Sequence, residues 1–253
     1  MRKKTKSKTF EEMEKEVTIL IESVKNPEKR AMLRSVYWNN ARYAKTTEDV
    51  EKLRKIIGAM DAIDRRFFMN PDYSAFCYED SAQPIGYGQT ISQPSTVARM
   101  LYLLDMNKGC KILEIGTGSG WNAALVAWLV KPSKIITAER IPELTEFAKS
   151  NFKELIKSEK LKLNLEFVCG NAFDGKSKIW KQKYDRIIVT AGASSELSIQ
   201  LENLAKALLK EKGLLLYPTS GDWGALELLQ FEHKKLKKIC SESGYVFVPL
   251  IKK

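Results

Sequence analysis

A run of aliphatic residues that ends in three closely spaced glycines constrains this chain more than any other feature. The run covers residues 111–115, and the glycines follow as Gly116, Gly118 and Gly120. Such a run predicts a buried parallel strand that turns sharply into a helix, whose free N–H groups then face a ligand. In the dinucleotide fingerprint a third glycine stands three positions after the second and admits a pyrophosphate, but that position here is Trp121. The spacing therefore predicts a ligand without a pyrophosphate.

The chain has the length and composition of a globular protein, with 253 residues of which 44% are apolar. No apolar run approaches the ~18 residues that would span a bilayer, and residues 1–8 are too polar for the centre of a secretory signal, so we expect a cytoplasmic protein. The cysteines are widely scattered and indicate neither a zinc site nor a redox pair. We therefore expect no metal and four reduced, structural cysteines: Cys77, Cys110, Cys169 and Cys240.

The formal net charge of +11 favours anionic partners but does not distinguish nucleic acids from carboxylates. Much of the charge lies in two segments that are expected to be solvated, the lysine-rich residues 234–238 and the N-terminal tail with Arg2, Lys3, Lys4, Lys6 and Lys8. His233, the only histidine, precedes the lysine run. It is therefore expected in a solvated loop rather than in a catalytic role.

The N-terminal part of the chain predicts helices over residues 10–24, 27–43 and 50–60, from apolar stripes and N-cap signals. Residues 71–93 are rich in turn residues and predict an irregular segment directly before the ligand site. Such a loop is a candidate lid. We expect residues 1–60 to form a helical extension and residues 61–253 the main domain.

Strand and helix signals alternate from residue 95 onward, which predicts a parallel sheet covered on both faces. Residues 225–231 and 245–250, separated by the lysine run, predict an antiparallel hairpin at the sheet edge. The expected fold is α/β, a Rossmann-like doubly wound and mostly parallel sheet. Its predicted elements are helices 95–105, 120–130, 142–157 and 196–210 and strands 111–115, 134–138, 164–169, 185–190 and 213–217.

Four segments together resemble the protein-L-isoaspartate O-methyltransferases, a family of class I S-adenosylmethionine-dependent methyltransferases: PIGYGQTISQP at 84–94, LEIGTGSG at 113–120, YDRIIVTA at 184–191 and VFVPL at 246–250. The glycine motif is shared by very many methyltransferases, whereas GYGQTIS is close to diagnostic. The resemblance covers about residues 55–250. It implies S-adenosyl-L-methionine as cofactor and methylation of the α-carboxylate of L-isoaspartyl residues in damaged proteins, a repair reaction. We expect a monomer.

The cofactor site follows from the resemblance together with the chemistry of the residues. Glu139 ends the second predicted strand, where its carboxylate can accept hydrogen bonds from both ribose hydroxyls; the alternative is a surface ion pair with Arg140. The glycines admit the methionine part of the cofactor, Ser119 can donate or cap, and Asn171 is expected near the adenine. The full set expected at the cofactor comprises Gln89, Thr90, Ile91, Ser92, Glu114, Gly116, Thr117, Gly118, Ser119, Gly120, Glu139, Arg140, Asn171, Ala172 and Thr190.

Ser92 is implied by the resemblance to be the active-site serine, with Thr90 and Ile91 lining the cleft between cofactor and substrate. Its position before Pro94 also fits a helix N-cap. We expect Ser92 to orient the substrate rather than attack, because the nucleophile would be the substrate carboxylate, which has a normal pKa of ~3.5 and is already ionised at neutral pH. No general base is then required.

Three departures from the family pattern concern the binding residues. Residues 171–172 read Asn-Ala where Asp-Gly is usual, residues 63–66 read Ile-Asp-Arg-Arg where a Val-Pro-Arg-like segment is usual, and Ser95 stands where His or Tyr is common. These departures leave room for different substrate contacts. The long helical region before residue 55 is a candidate recognition element.

Other functions are weighed against this one. Residues 170–177 satisfy the Walker A pattern, but too few residues follow for the helix that a phosphate loop must open. A nucleic-acid methyltransferase, suggested by the charge and the helical N-terminus, is disfavoured because no Asn-Pro-Pro-Tyr type segment follows the fourth strand. An RNA methyltransferase that acts on another atom of a base stays open. A carboxyl methyltransferase with a dedicated peptide or protein substrate stays open. A scaffold without turnover is disfavoured by the intact glycine loop, Glu139 and Ser92.

Overall fold

The computed structural model describes residues 8–251 of the chain. The basic residues predicted for the N-terminal tail lie outside the described residues, apart from Lys8. Three helices come first: α1 (Phe10–Glu22), α2 (Pro27–Ala41) and α3 (Thr47–Ala62). Capping boxes begin α1 and α3, because Thr9 and Thr46 each accept an N–H of the first turn while a carboxylate returns to the cap N–H. The three predicted helices are confirmed.

The segment that follows is more ordered than predicted. Two 3-10 turns, Arg65–Phe68 and Pro71–Phe76, lead into an antiparallel hairpin of β1 (Gln83–Gly86) and β2 (Gln89–Ile91). The prediction of an irregular segment is therefore wrong for its second half. Tyr87 and Gly88 take positive φ angles of 55° and 69° between the two strands, as tight hairpin turns require. That this segment acts as a lid stays a prediction.

The central sheet has seven strands in the order β5-β4-β3-β6-β7-β8-β9. Strands β3 to β7 are parallel, whereas β8 and β9 pair antiparallel. The predicted α/β fold is thus confirmed. The strands and helices from residue 94 onward are α4 (Pro94–Leu104), β3 (Ile112–Ile115), α5 (Trp121–Val130), β4 (Ile135–Glu139), α6 (Pro142–Ser158), β5 (Leu165–Cys169), β6 (Tyr184–Val189), α7 (Ser195–Leu208), β7 (Leu209–Pro218), β8 (Gly224–Glu232) and β9 (Lys235–Tyr245).

The C-terminal hairpin lies at the sheet edge as predicted, but its second strand is not residues 245–250. Strand β9 instead includes the lysine run, and the residues after it turn back so that Pro249 bridges Gly192. His233 and Lys234, with φ of 50° and 64°, form the two-residue turn. His233 is exposed there, which confirms its predicted solvated position.

Two hydrophobic clusters cover the faces of the sheet. Helices α1 to α6 pack on one face, and α7 with the 3-10 turn Lys178–Lys181 packs on the other. Val17, Leu33 and Leu53 of the extension are completely buried in the same cluster as α4 and α5. No boundary between hydrophobic clusters falls near residue 60, and the division into an extension and a main domain stays a prediction.

The cysteines are all free, as predicted. Cys169, however, was expected in or beside a core strand and is exposed. The reason is that β5 forms the outer edge of the sheet, where one side has no neighbouring strand. Within residues 8–251, no helix is long and apolar enough to cross a membrane.

Candidate active site

The glycine loop lies at the carboxyl end of β3, between β4 and β6, where open α/β sheets bind ligands. Gly116 has a φ of 99°, and a Cβ there would lie 2.5 Å from Thr190 Oγ1. Gly120 has a φ of 90° and begins α5, where a Cβ would lie 3.2 Å from the Cβ of Ala148 in α6. The glycines thus allow a strand-to-helix turn in which the backbone comes close to both neighbouring segments.

Glu139 holds this loop from the end of β4. Its Oε2 accepts the Gly118 N–H at 2.9 Å, and its Oε1 accepts the N–H groups of Arg140 at 2.8 Å and Ile141 at 3.0 Å. No ion pair joins Glu139 to the Arg140 side chain among the residues that the structure describes. A carboxylate has about four acceptor positions, so one on Oε2 is still available to a ligand hydroxyl.

Two openings share Gly116 and together form one cleft. One includes these predicted residues: Gln89, Gly116, Glu139, Arg140, Asn171 and Ala172. The other includes these predicted residues: Thr90, Ile91, Ser92, Gly116, Thr117, Gly118, Ser119 and Thr190. The C-terminal segment with Pro249 and Leu250 also lines the first opening. The structure thus brings most of the predicted site residues together.

Glu114 and Gly120 line neither opening. Glu114 is completely buried beneath the loop, where it accepts hydrogen bonds from Asn122 Nδ2 at 2.7 Å and from the Thr137 hydroxyl. Thr137 Oγ1 lies 2.6 Å from Thr117 Oγ1, so the network reaches the loop itself. Burial raises the pKa of Glu114 to about 7. The hydrogen bonds from Thr137 and Asn122 lower the pKa, but burial has the larger effect. Glu114 supports the loop from below.

The buried carboxyl group of Glu114 should make the stability of the protein depend on pH. Its folded pKa lies above its ordinary value of 4.5, so the unfolded chain ionises first and stability falls as pH rises from about 4.5 to 7. Glu114→Gln should remove up to about 3 kcal/mol of this loss, since one pKa unit corresponds to ~1.4 kcal/mol. Urea unfolding at pH 5 and pH 8 checks this. Glu143→Gln, at an exposed position, is the control. The prediction would be contradicted if the free energy of unfolding changed equally with pH in the wild type and in both variants.

Residues 170–177 form the turn on the far side of the first opening. The Asn171 Oδ1 accepts the Phe173 N–H at 2.9 Å, which closes the turn beside the opening. Only a short 3-10 turn, Lys178–Lys181, follows before β6 begins. The Walker-like stretch therefore lacks the α-helix that a phosphate-binding loop opens.

Ser92 follows β2 and lines the second opening. The structure does not place it at a helix N-cap: Gln93 holds that position, and the Asp80 carboxylate accepts the Ser95 N–H of the first turn at 2.8 Å. Ser95 in turn contacts Asp80 and Asn39 through its hydroxyl. Among the described residues the Ser92 hydroxyl has no hydrogen-bond partner, so it is available to a ligand.

Arg65 is a structural residue of the site that the sequence did not single out. Its side chain is 0% exposed and lies over the Trp121 ring at 5.3 Å. Burial lowers its pKa to about 10, a shift that leaves the guanidinium charged at neutral pH. The guanidinium donates to four backbone carbonyl oxygens, those of Cys77, Glu79, Ser81 and Ser92. Arg65 and Arg66 are adjacent in the sequence, and no sequence pattern indicates which of the two is buried.

Comparisons with known proteins agree on one family. The family model described as Protein-L-isoaspartate(D-aspartate) O-methyltransferase matches residues 42–253. A protein-L-isoaspartate O-methyltransferase of Thermococcus onnurineus is 36% identical over 85% of this chain and 94% of its own length. The Methanopyrus kandleri protein of the same name is 40% identical over 78% of this chain and 83% of its own length.

Solved structures show the same fold. A Plasmodium falciparum protein, described as a candidate protein-L-isoaspartate O-methyltransferase in complex with S-adenosyl-L-homocysteine, has a TM-score of 0.70 at 23% identity and covers 90% of this chain and 100% of that one. Another structure, named protein-L-isoaspartate O-methyltransferase, has a TM-score of 0.67 at 24% identity and covers 86% of this chain and 65% of that one. The match to the family model over residues 42–253 and the identity to the sequence relatives show that this chain belongs to the protein-L-isoaspartate(D-aspartate) O-methyltransferase family.

Proposed function

We propose that this chain transfers a methyl group from S-adenosyl-L-methionine to the α-carboxylate of L-isoaspartyl residues in damaged proteins. One observation carries the proposal: in a chain of this family, Glu139 and Ser92 lie on two openings that meet at Gly116. The cleft can therefore hold a cofactor along the glycine loop and an acceptor group beside Ser92.

The residues of the first opening fit the adenosine part of the cofactor, which supplies an electrophilic methyl group when bound. The free acceptor position on Glu139 Oε2 can take a ribose hydroxyl without breaking the Gly118 hydrogen bond. Asn171 and Ala172 border the same opening and would lie on the adenine side. The glycine loop, lined by Thr117 and Ser119 on the other opening, would take the methionine part.

The acceptor side needs orientation rather than proton transfer, because an isoaspartyl α-carboxylate is already ionised at neutral pH. The Ser92 hydroxyl can donate a hydrogen bond to one carboxylate oxygen and so direct the other toward the methyl group. In-line placement at ~3 to 3.5 Å accounts for much of the rate in such transfers. The β1–β2 hairpin, which carries Gln89 and Thr90 to the cleft, would exclude water from it.

The decisive experiment supplies labelled S-adenosyl-L-methionine with an isoaspartyl peptide, its aspartyl counterpart, RNA or a mixture of native proteins. We expect base-labile label on the isoaspartyl peptide alone. Label on RNA would instead support the nucleic-acid alternative, and label on a native protein but on neither peptide would indicate a dedicated protein substrate. The cytoplasmic location and the monomeric state stay predictions from the sequence.

Glu139→Ala should weaken binding of S-adenosyl-L-methionine by ~1.5 to 3 kcal/mol, about 10- to 150-fold, because a charge-assisted hydrogen bond to the ribose is lost. Isothermal titration with the cofactor measures the change. Glu143→Ala is a matched control, since Glu143 is an exposed carboxylate four residues further on. Equal affinities in the two variants would remove Glu139 from the cofactor site.

A further inference from the structure

A second cavity lies at the end of the sheet opposite the cleft. Its lining comes from α3, from the ends of α4 and α5, and from the loop 105–108 between α4 and β3. That loop leads into the amino end of β3, whereas the glycine loop follows the carboxyl end of the same strand. The cavity holds about 740 Å³, which is within the usual range of ligand sites. We call it the α3 cavity.

The floor of the α3 cavity is apolar and elongated. Ile56 and Leu101 are buried there, and partly buried residues complete the floor: Leu20, Met106, Trp128 and Leu129. Helix α3 borders the cavity from Glu48 to Gly58, a rise of about 15 Å along the helix axis. The cavity therefore fits an extended apolar molecule better than a compact polar one.

Gly58 leaves space in the wall of this cavity. It lies inside α3, where glycine weakens a helix relative to alanine. The nearest atom to a Cβ built at this position is Leu20 Cδ2, at 4.0 Å, so an alanine would fit without displacing any neighbour. Packing within the described residues therefore gives no reason for a glycine here. Its effect on the structure is to widen the α3 cavity.

The rim of the α3 cavity has an excess of positive charge at one end. Five cations and three carboxylates line the cavity, and three of the cations pair with those carboxylates. The other two, Lys108 and Lys131, have no carboxylate partner in the described part of the chain. The Gly109 N–H donates to the Val130 carbonyl at 3.0 Å, so the two lysines, each adjacent to one of these residues, stand at the same end. Lys131 Nζ lies 3.3 Å from the centre of the Trp128 ring, which places this charge directly beside the apolar floor.

We propose that the α3 cavity binds a long-chain aliphatic carboxylate, with the chain along the apolar floor and the carboxylate beside Lys108 and Lys131. Burial of the chain supplies the affinity, and each ammonium group can donate hydrogen bonds to a carboxylate oxygen. Helices α4 and α5 both end at this end of the cavity, where their partial negative charge balances part of the excess. A single carboxylate therefore fits better than a dianionic phosphate. The site is separate from the cleft, so the inference does not rest on the proposed function.

Isothermal titration of the full chain with dodecanoate, decanoate and dodecyltrimethylammonium, each below its micelle concentration, tests the chemistry of the ligand. Dodecanoate should bind with one-to-one stoichiometry. Decanoate should bind about 10-fold more weakly, because its chain buries two fewer methylene groups. The dodecyltrimethylammonium ion has the same chain with the opposite charge and should bind at least about 10-fold more weakly than dodecanoate, since the lysines repel it.

Two pairs of variants test the location of the site. Gly58→Leu fills the wall of the cavity and should weaken dodecanoate binding at least about 10-fold, whereas Gly58→Ala adds one methyl group and should weaken it less. Lys108→Glu should weaken binding about 5-fold. Lys153→Glu, at an exposed position of α6, makes the same change in net charge and should keep the wild-type affinity.

Absence of dodecanoate binding would overturn the proposal and leave the cavity a hydrated space between helices. Equal binding of dodecanoate and dodecyltrimethylammonium would also overturn it, since a detergent that adsorbs unspecifically gives this result. The same conclusion follows if Gly58→Leu keeps the wild-type affinity, or if Lys108→Glu binds as tightly as Lys153→Glu. Thermal unfolding verifies that each variant is folded, and leucine at position 58 should not weaken α3, because it favours helix more than glycine does.

Discussion

Arg65→Met is expected to lower the free energy of unfolding by about 3 to 5 kcal/mol and the melting temperature by roughly 10 °C. The substitution removes a buried charge, which by itself favours the variant. It also leaves four backbone carbonyl oxygens without their donor, each of which costs ~1 to 3 kcal/mol where water cannot reach it. The carbonyls lie at least partly buried in the segment between the extension and α4, so their cost exceeds the gain.

Urea unfolding of Arg65→Met beside Arg66→Met measures this effect. Arg66 is the matched control because its side chain is 55% exposed and its ion pairs, at 3.5 and 3.7 Å, are long. Its replacement should change stability by less than ~1 kcal/mol. If both variants were equally stable, the carbonyl oxygens near Arg65 would have to be hydrated, and Arg65 would not position the backbone of Ser92.

Ser92→Ala should lower kcat for the isoaspartyl peptide about 100-fold, the effect of removing one positioned hydrogen-bond donor from a reaction centre. Because the Ser92 hydroxyl has no hydrogen-bond partner among the described residues, its loss should cost little stability. Affinity for S-adenosyl-L-methionine should stay within about twofold, since the proposed function assigns the cofactor mainly to Glu139, Asn171 and the glycine loop. The variant therefore separates orientation of the acceptor from cofactor binding.

Steady-state kinetics together with cofactor titration decides this prediction. Ser150→Ala, at an exposed position of α6, controls for the loss of a serine hydroxyl. A Ser92→Ala enzyme with wild-type kcat would show that the hydroxyl does not touch the acceptor. A variant that fails to bind the cofactor would assign Ser92 to the cofactor instead.

The sequence predicts the sheet well because its parallel strands are buried on both faces. Ile112 and Leu113, neighbours in β3, pack into different hydrophobic clusters on opposite sides of the sheet. Such strands read as continuous aliphatic runs, and the glycines mark where the first of them ends. The position of Glu139 at the cleft follows from the same order of strands, whereas Ser92 follows β2, which belongs to the separate two-stranded sheet.

Features that depend on partners distant in the sequence could not be predicted in this way. Arg65 is bonded to carbonyls 12 to 27 positions later, and neither periodicity nor spacing indicates such contacts. Glu114 was placed at the cofactor because it is acidic and close to the glycines. Its strand position directs it under the loop, opposite Thr137 in the register of β3 and β4.

Strand β9 was missed for a different reason, since a run of lysines reads as solvated loop. Its position at the sheet edge gives those lysines another consequence. An outer strand exposes unpaired N–H and C=O groups to which a strand of another molecule could add, and charged side chains along it discourage such pairing. Lys235, Lys237 and Lys238 are all exposed on this strand. Part of the basic charge of the chain therefore discourages aggregation through this edge strand, a role that needs no anionic binding partner.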